Sequence, residues 1–281
     1  PLMSIDAPSP LSAELSKKHE ALKEHLARLG TVAVAFSGGV DSTLLLSVAA
    51  DVLDDNAVAI TARAQMIPAR EIREAGDFCA ERGIRHVVMD VDALTIPGFA
   101  ENPADRCYLC KNALFARIMD QAARLGIPHV AEGTNTSDLG DYRPGLKALG
   151  ELKVDSPLLA AGLSKADVRA LSHSLGLPTW DKPSYACLAS RIPYNEAITA
   201  EKLQSIERAE DALMDAGFRQ IRCRAHGNLA RIEAAPDQRA ALMDALISTD
   251  LTKRIHDAGF AYVTVDADGY RTGSLNQNVP E

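Results

Sequence analysis

The feature that most constrains this chain is an apolar run, Thr31-Val-Ala-Val-Ala-Phe36, that leads into Ser37-Gly38-Gly39-Val40-Asp41-Ser42 and then an apolar stretch reaching about Leu53. The first run reads as a buried strand and the last as a helix. Adjacent glycines let the backbone turn sharply and present successive N–H groups, and the helix N-terminus adds positive potential, so the loop is an anion cradle. Ser37 and Ser42 can donate hydroxyl hydrogen bonds to phosphate. Asp41 cannot attract phosphate itself, but a carboxylate in such a loop makes sense as a ligand to Mg²⁺. The bland alternative is a glycine turn. The loop is neither a G-x-x-x-x-G-K-S/T loop nor a G-x-G-x-x-G fingerprint.

Beyond the loop, strands alternate with helices. Leu11 to Leu29 recur at helical spacing before Gly30. Strands are expected at 57–62, 85–90 and 129–131, with helices over 69–82 and 110–125 between them. This order predicts an α/β fold with a doubly wound parallel sheet. Ser164-Lys-Ala-Asp167 reads as a capping box opening a helix that stops at Gly176. Residues 178–195, with three prolines, look irregular. A helix at 199–216, strands at 219–224 and 229–233, a helix after Pro236, another near 251–258 and a strand at 261–266 suggest a smaller C-terminal α+β domain. The expected domains are a flexible tail over 1–10, a first domain over 11–195 and a second over 196–281.

Composition excludes several classes. No uncharged stretch exceeds Leu29–Val40, twelve residues, whereas a membrane helix needs about 20 apolar residues. No basic segment followed by an apolar run opens the sequence, so no secretory signal is expected. The net charge of −8 argues against a general nucleic-acid surface. Five cysteines do not read as a secreted disulfide framework, and a reduced, cytoplasmic setting is expected.

Cys107-Tyr-Leu-Cys110-Lys111 places two thiols three apart at the start of a helix, and Cys187 lies in a loop beside Ser190 and Arg191. The pair alone is open: half a zinc site, a redox pair or two buried thiols. Three thiolates could hold a 4Fe–4S cluster with one open iron. Arg222 and Arg224 alternate on an expected strand and so share a face. Guanidinium groups suit phosphate, though any one arginine alone reads as a surface charge. Lys111 and Glu210 read equally as helix-surface charges, Trp180 as core or interface, and Cys79 and Cys223 as packing thiols.

The Ser37–Ser42 hexapeptide resembles the pyrophosphatase loop of the N-type ATP pyrophosphatases, such as GMP synthetase, asparagine synthetase and NAD synthetase. The resemblance implies an adenine nucleotide alpha hydrolase-like fold, binding of ATP by Ser37, Gly38, Gly39, Val40, Asp41 and Ser42, and cleavage of ATP between its α and β phosphates. Further pieces resemble the LarE-type ATP-dependent sulfur transferases of nickel-pincer nucleotide biosynthesis. They are Ala33–Ser42, Asp141-Tyr-Arg-Pro-Gly-Leu-Lys147, Lys165–Leu171, Ser190-Arg-Ile-Pro-Tyr194, Ala230–Glu233, and Tyr262–Asp266 with Gly269-Tyr-Arg271. This resemblance implies a pyridinium mononucleotide substrate with two carboxylates, each adenylated and then converted to a thiocarboxylate. Sulfur would come from a cluster on Cys107, Cys110 and Cys187, or from one sacrificed cysteine. The sacrificial position aligns with Ala186, one residue before Cys187, which tilts the expectation to the cluster. By resemblance, Arg191, Glu210, Arg222, Arg224 and Arg271 match substrate or phosphate positions, and Ser190 is placed with them. Cys187, Asp41 and Lys111 are the candidate catalytic residues, Lys111 because it follows Cys110 and could reach the nucleotide phosphates. Gly133 fits either close approach of the adenine ring or a plain turn. Homo-oligomers, up to a hexamer, are implied. The competing readings are a tRNA-thiolating relative, which the acidic balance disfavours, an amidating synthetase, which would need an ammonia source, and a non-catalytic nucleotide sensor, which would need neither Asp41 nor the thiols.

Overall fold

The computed structural model describes residues 11–140 and 144–271. The expected tail at 1–10 and residues 141–143 of the Asp141–Lys147 motif lie outside them. Packing groups the chain into two compact units that alternate along the sequence. The first takes described residues within 1–63, 69–91 and 111–182. The second takes those within 64–68, 92–110 and 183–281.

The first unit holds α1 (Ala13–Leu29), β1 (Val32–Ala35), α2 (Val40–Leu53), β2 (Ala57–Arg63), α3 (Ala69–Glu81) and β3 (Arg85–Asp90). It continues with most of α4 (Arg106–Arg124), then β4 (Val130–Ala131), α5 (Pro144–Glu151), α6 (Pro157–Ala160) and α7 (Lys165–Ser174). The four strands form one parallel sheet in the order β3-β2-β1-β4. Strand side chains alternate between faces, and the core follows that period. Val32, Val34, Ala57 and Ala59 join α1, α2, α3, α6 and α7 in one apolar cluster. Ala33, Val58 and Ile60 join Phe115, Ile118 and Ala122 of α4 and Leu149 of α5 in another. Helices therefore cover both faces, as the alternating pattern predicts. Ten of the fourteen residues of α2 are buried, which is why it reads as an apolar run rather than a striped helix.

Ser164 and Asp167 form the expected reciprocal capping box at the start of α7. Helices α5 and α6 go beyond the sequence reading. Each opens on a proline, which suits a first helical position but reads in sequence as a breaker.

The second unit holds the first residues of α4, then α8 (Ala200–Asp215), β5 (Ile221–His226), β6 (Leu229–Ala234), α9 (Arg239–Ser248), α10 (Leu251–Asp257) and β7 (Tyr262–Val265). β6 pairs antiparallel with β5 and parallel with β7, and α8 packs on β5. This is a small α+β arrangement. Residues 98–106 are tied into it: Asn102 Nδ2 donates to the carbonyls of Pro193 (2.7 Å) and Glu196 (3.1 Å). Trp180 is not a core residue; it is 42% exposed and packs edge-on against His173. Among the described residues no helix is long and apolar enough to cross a membrane.

Candidate functional site

Strand order reverses at β1: β2 and β3 lie on one side and β4 on the other. In open parallel sheets the carboxyl ends of the strands at such a reversal form the ligand crevice. Two loops leave the sheet there. After β1 comes Ser37–Ser42, in which Gly38 has φ +69°, a left-handed conformation that favours glycine. Gly39 caps α2 in an extended conformation, so Val40, Asp41 and Ser42 form the first turn of that helix. Ser37 and Ser42 meet through their hydroxyls at 3.1 Å, and Ser42 Oγ donates to Gly39 O at 3.2 Å. Lys182 Nζ donates to Gly38 O at 3.0 Å. The loop is thus held in shape chiefly by its own side chains.

After β4 comes Glu132-Gly133-Thr134-Asn135. A Cβ on Gly133 would stand 3.0 Å from Asp41 Cβ and from Ser42 N. Gly133 thus packs directly against the glycine loop. Asn135 is fully buried, and its Nδ2 donates to Asp41 Oδ1 at 3.1 Å. The ammonium of Lys165, at the start of α7, pairs with Asp41 Oδ2. Glu132 accepts from Thr134 N (3.1 Å), Thr134 Oγ1 (2.8 Å) and Ser156 Oγ (2.7 Å), which fixes the second loop. The sequence reading missed Glu132, Asn135 and Lys165. The signal was a polar run directly after a short strand, the place where parallel sheets carry their sites. Mg²⁺ is usually held by one or two carboxylates plus substrate phosphates. Asp41 fits that role, since its carboxylate already attracts a cation, Lys165.

Lys111 runs its aliphatic stem across α5, where a Cβ on Gly145 would lie 2.6 Å from Lys111 Cδ. The glycine of the Asp141–Lys147 motif therefore makes room for this lysine.

In the second unit, Cys187 is half-buried and caps a short 3₁₀ turn over Leu188–Arg191. Arg191 is fully buried. Its Nε and Nη2 each reach Glu210 at 2.8 Å, and Nη1 donates to Ala186 O (3.1 Å), Cys187 O (3.0 Å) and Ser190 Oγ (3.1 Å). Glu210, read in sequence as a helix-surface charge, is buried and also accepts from Cys223 N at 2.8 Å. Arg224 pairs with Glu233 at 2.9 Å and donates to Ser190 O at 2.8 Å. Arg222 is 3% exposed, and among the described residues no carboxylate forms an ion pair with it. It donates to Ile221 O (2.6 Å) and to Ser184 O, and stacks on Tyr270 with its guanidinium carbon 4.8 Å from the ring centre. Burial, with Arg191 nearby, pushes the Arg222 pKa down to about 10. A desolvated guanidinium with no carboxylate in direct contact among the described residues is a strong attractor for an anion. Arg271 is exposed and paired with Asp268 at 2.9 Å.

The thiols divide sharply. Burial pushes Cys79 up to about 12 and raises Cys223 as well, so both are packing thiols as expected. Cys107 is exposed and Cys110 half-buried, both in the first turn of α4. Among the described residues no three His, Cys, Asp or Glu side chains form a metal-holding group. The pair sits on a regular helix while Cys187 belongs to a loop shaped by Arg191.

No family model matches the chain. Over 269 residues it is 37% identical to the pyridinium-3,5-bisthiocarboxylic acid mononucleotide synthase of Lactiplantibacillus plantarum, covering 95% of this chain and 96% of that protein. It is 43% identical over 263 residues to an uncharacterized protein of Synechocystis, covering 94% and 98% respectively. It is 27% identical over 196 residues to a GMP synthase (glutamine-hydrolysing) chain of Thermoplasma volcanium, covering 65% and 63%.

Proposed function

The chain belongs to the LarE-type ATP-dependent sulfur transferases, and from that premise we propose that it adenylates the carboxylates of a pyridinium-3,5-biscarboxylic acid mononucleotide and replaces oxygen by sulfur. The observation that carries the reading is the glycine loop at the strand-order reversal, with Asp41 held by Asn135 and Lys165.

The backbone N–H groups at the start of α2 and the hydroxyls of Ser37 and Ser42 hold the phosphates of ATP. Asp41 holds Mg²⁺, which when bound neutralises phosphate charge. Lys165, paired with Asp41 in its absence, supplies a second cation to the same phosphates, and Lys111 is assigned beside it. A substrate carboxylate oxygen attacks the α-phosphorus, and pyrophosphate leaves. The product is an acyl adenylate, whose AMP is a good leaving group. Arg222 takes the substrate's phosphate, because its guanidinium is buried with no directly paired carboxylate among the described residues, while Arg224 holds Glu233 and braces Ser190. Arg271 is assigned to the rim of the same phosphate position.

For sulfur we assign Cys187, with no metal-holding group of three His, Cys, Asp or Glu side chains among the described residues. The Cys187 sulfur attacks the acyl carbon and AMP departs, leaving a thioester. Loss of the Cys187 α-proton then breaks the Cβ–S bond, giving a thiocarboxylate and dehydroalanine at position 187. No step is derived through a cluster. The reading is tested by supplying ATP, Mg²⁺ and the dicarboxylate mononucleotide. Pyrophosphate release with loss of one H₂S from the mass of the Cys187 peptide supports it. Sulfur transfer with unchanged protein mass and stoichiometric iron overturns the assignment of Cys187 as donor. Whether the active form is a homo-oligomer is settled by light scattering.

A further inference from the structure

We propose that Arg191 and Glu210 are positioning residues for the Cys187 thiol: the buried pair clamps the carbonyls of Ala186 and Cys187 and so fixes the direction in which the Cys187 side chain leaves the backbone.

Sequence alone suggests that both charges meet the substrate, but the geometry turns them inward. Both guanidinium nitrogens on one edge of Arg191 are taken by Glu210 in a two-point pair at 2.8 Å. The remaining nitrogen, Nη1, faces the loop and reaches Ala186 O, Cys187 O and Ser190 Oγ within 3.1 Å. The Cys187 carbonyl is the focus: Ser190 N at 3.0 Å and Ser190 Oγ at 2.8 Å donate to it as well. Glu210 is in turn anchored to a rigid element, since Cys223 N on β5 donates to it at 2.8 Å. A continuous set of hydrogen bonds therefore runs from β5 through Glu210 and Arg191 to the residue that carries the thiol.

A buried ion pair is weak evidence for a stabilising role, because desolvation offsets much of the attraction. A second observation points to positioning. Ala186 has φ +52°, the left-handed region that an alanine enters only at a free-energy cost. Such a conformation persists where the surroundings over-determine it, and here Arg191 binds the carbonyl on each side of the Cys187 Cα. Without the clamp this segment would relax, and the Cβ–Sγ bond of Cys187 would swing with it. The consequence for sulfur transfer rests on Cys187 being the donor. The positioning itself does not.

The test uses the full chain and its own cysteines as reporters. Alkylation by iodoacetamide is followed at each cysteine by peptide mass in wild type, in Arg191→Lys and in the double variant Arg191→Met with Glu210→Leu. The double variant removes both charges together, which buried pairs tolerate. Cys79 and Cys223 are buried and report unfolding, whereas exposed Cys107 reports general reactivity. The expected result is a rise of about fivefold at Cys187 in the double variant, the factor that one lost hydrogen bond of about 1 kcal/mol gives. Arg191→Lys should fall between, with Cys79 and Cys223 still protected and Cys107 unchanged. An unchanged Cys187 rate overturns the proposal, as does exposure of Cys79 and Cys223 in step with Cys187, which would make the pair a fold element only. Full sulfur transfer by Cys187→Ser would instead overturn the donor reading, and is scored separately from the alkylation rates.

Discussion

Replacing Gly133 by alanine adds one methyl group and tests whether the two loops at the end of the sheet act as one body. The new carbon would stand 3.0 Å from Asp41 Cβ, 3.0 Å from Ser42 N and 3.2 Å from the Asp41 carbonyl carbon. Favourable contact between heavy atoms begins near 3.5 Å, so the neighbours must retreat by roughly 0.5 Å. They are backbone and Cβ atoms of the first turn of α2, and no side-chain rotation relieves them. The strain of such overpacking is about 1–3 kcal/mol. In a body of this size that lowers the melting temperature by roughly 2–4 °C per kcal/mol. Part of it should appear in binding, because the displaced atoms carry the N–H groups assigned to phosphate. A loss of about 1.4 kcal/mol there is a tenfold weaker affinity for ATP. Calorimetric titration of ATP and a thermal melt read both quantities. Gly76→Ala in α3 is the control: nothing lies within 4 Å of the added carbon, so alanine should stabilise that helix by about 0.5–1 kcal/mol. Wild-type ATP affinity and melting temperature for Gly133→Ala would refute the coupling of the loops.

Asp41→Asn should lower pyrophosphate release at least about 100-fold with the melting temperature kept, a loss on the scale of one preorganised electrostatic group; release at the wild-type rate would remove Asp41 from the metal role. Arg222→Met should weaken mononucleotide affinity by about tenfold or more, as loss of a charge-assisted contact does, and leave ATP affinity alone; equal losses for both ligands would reassign it. Cys79 gives a pH dependence. Its folded pKa is about 12 against 9.0 as the ordinary value. The neutral thiol is thus favoured by folding, and that stability is full below pH 9 and lost as pH rises from 9 to 12. Cys79→Ala should flatten the decline in denaturant midpoint over that window; a slope identical to wild type would exclude Cys79 as its source.

The glycine loop was legible because its chemistry is local: glycines, hydroxyls and a helix start all lie within Ser37–Ser42. The alternation that gives the sheet was legible for the same reason. Asn135 and Lys165 were not, since they reach Asp41 from 94 and 124 residues away, and only the strand order brings them there. Arg191 and Glu210 were visible as residues of interest but not in their orientation. Charge in a sequence says nothing of burial, and here burial turns both side chains toward each other. The placement of the CxxC pair on a helix and of Cys187 on a separate loop was legible, because each is set by the local run of residues around it.

The second unit's assembly from three stretches of chain bears on how the protein is made. Met66 accepts from Leu188 N, Ala100 from Ile198 N, and Asn102 from Asn195 N, each across about a hundred residues of intervening chain. During synthesis, the stretches 64–68 and 92–110, which carry the buried side chains of Met66 and Phe99, emerge long before their hydrogen-bond partners in 183–271. Loop closure over such distances slows folding, and nascent apolar surface invites association. A gene fragment cut just before Pro183 would therefore leave the carbonyls of Met66, Ala100 and Asn102 without these partners, and one starting there would lack two of the stretches that make up its compact unit. The two units are inseparable at the level of the gene, whatever their independence as packed bodies.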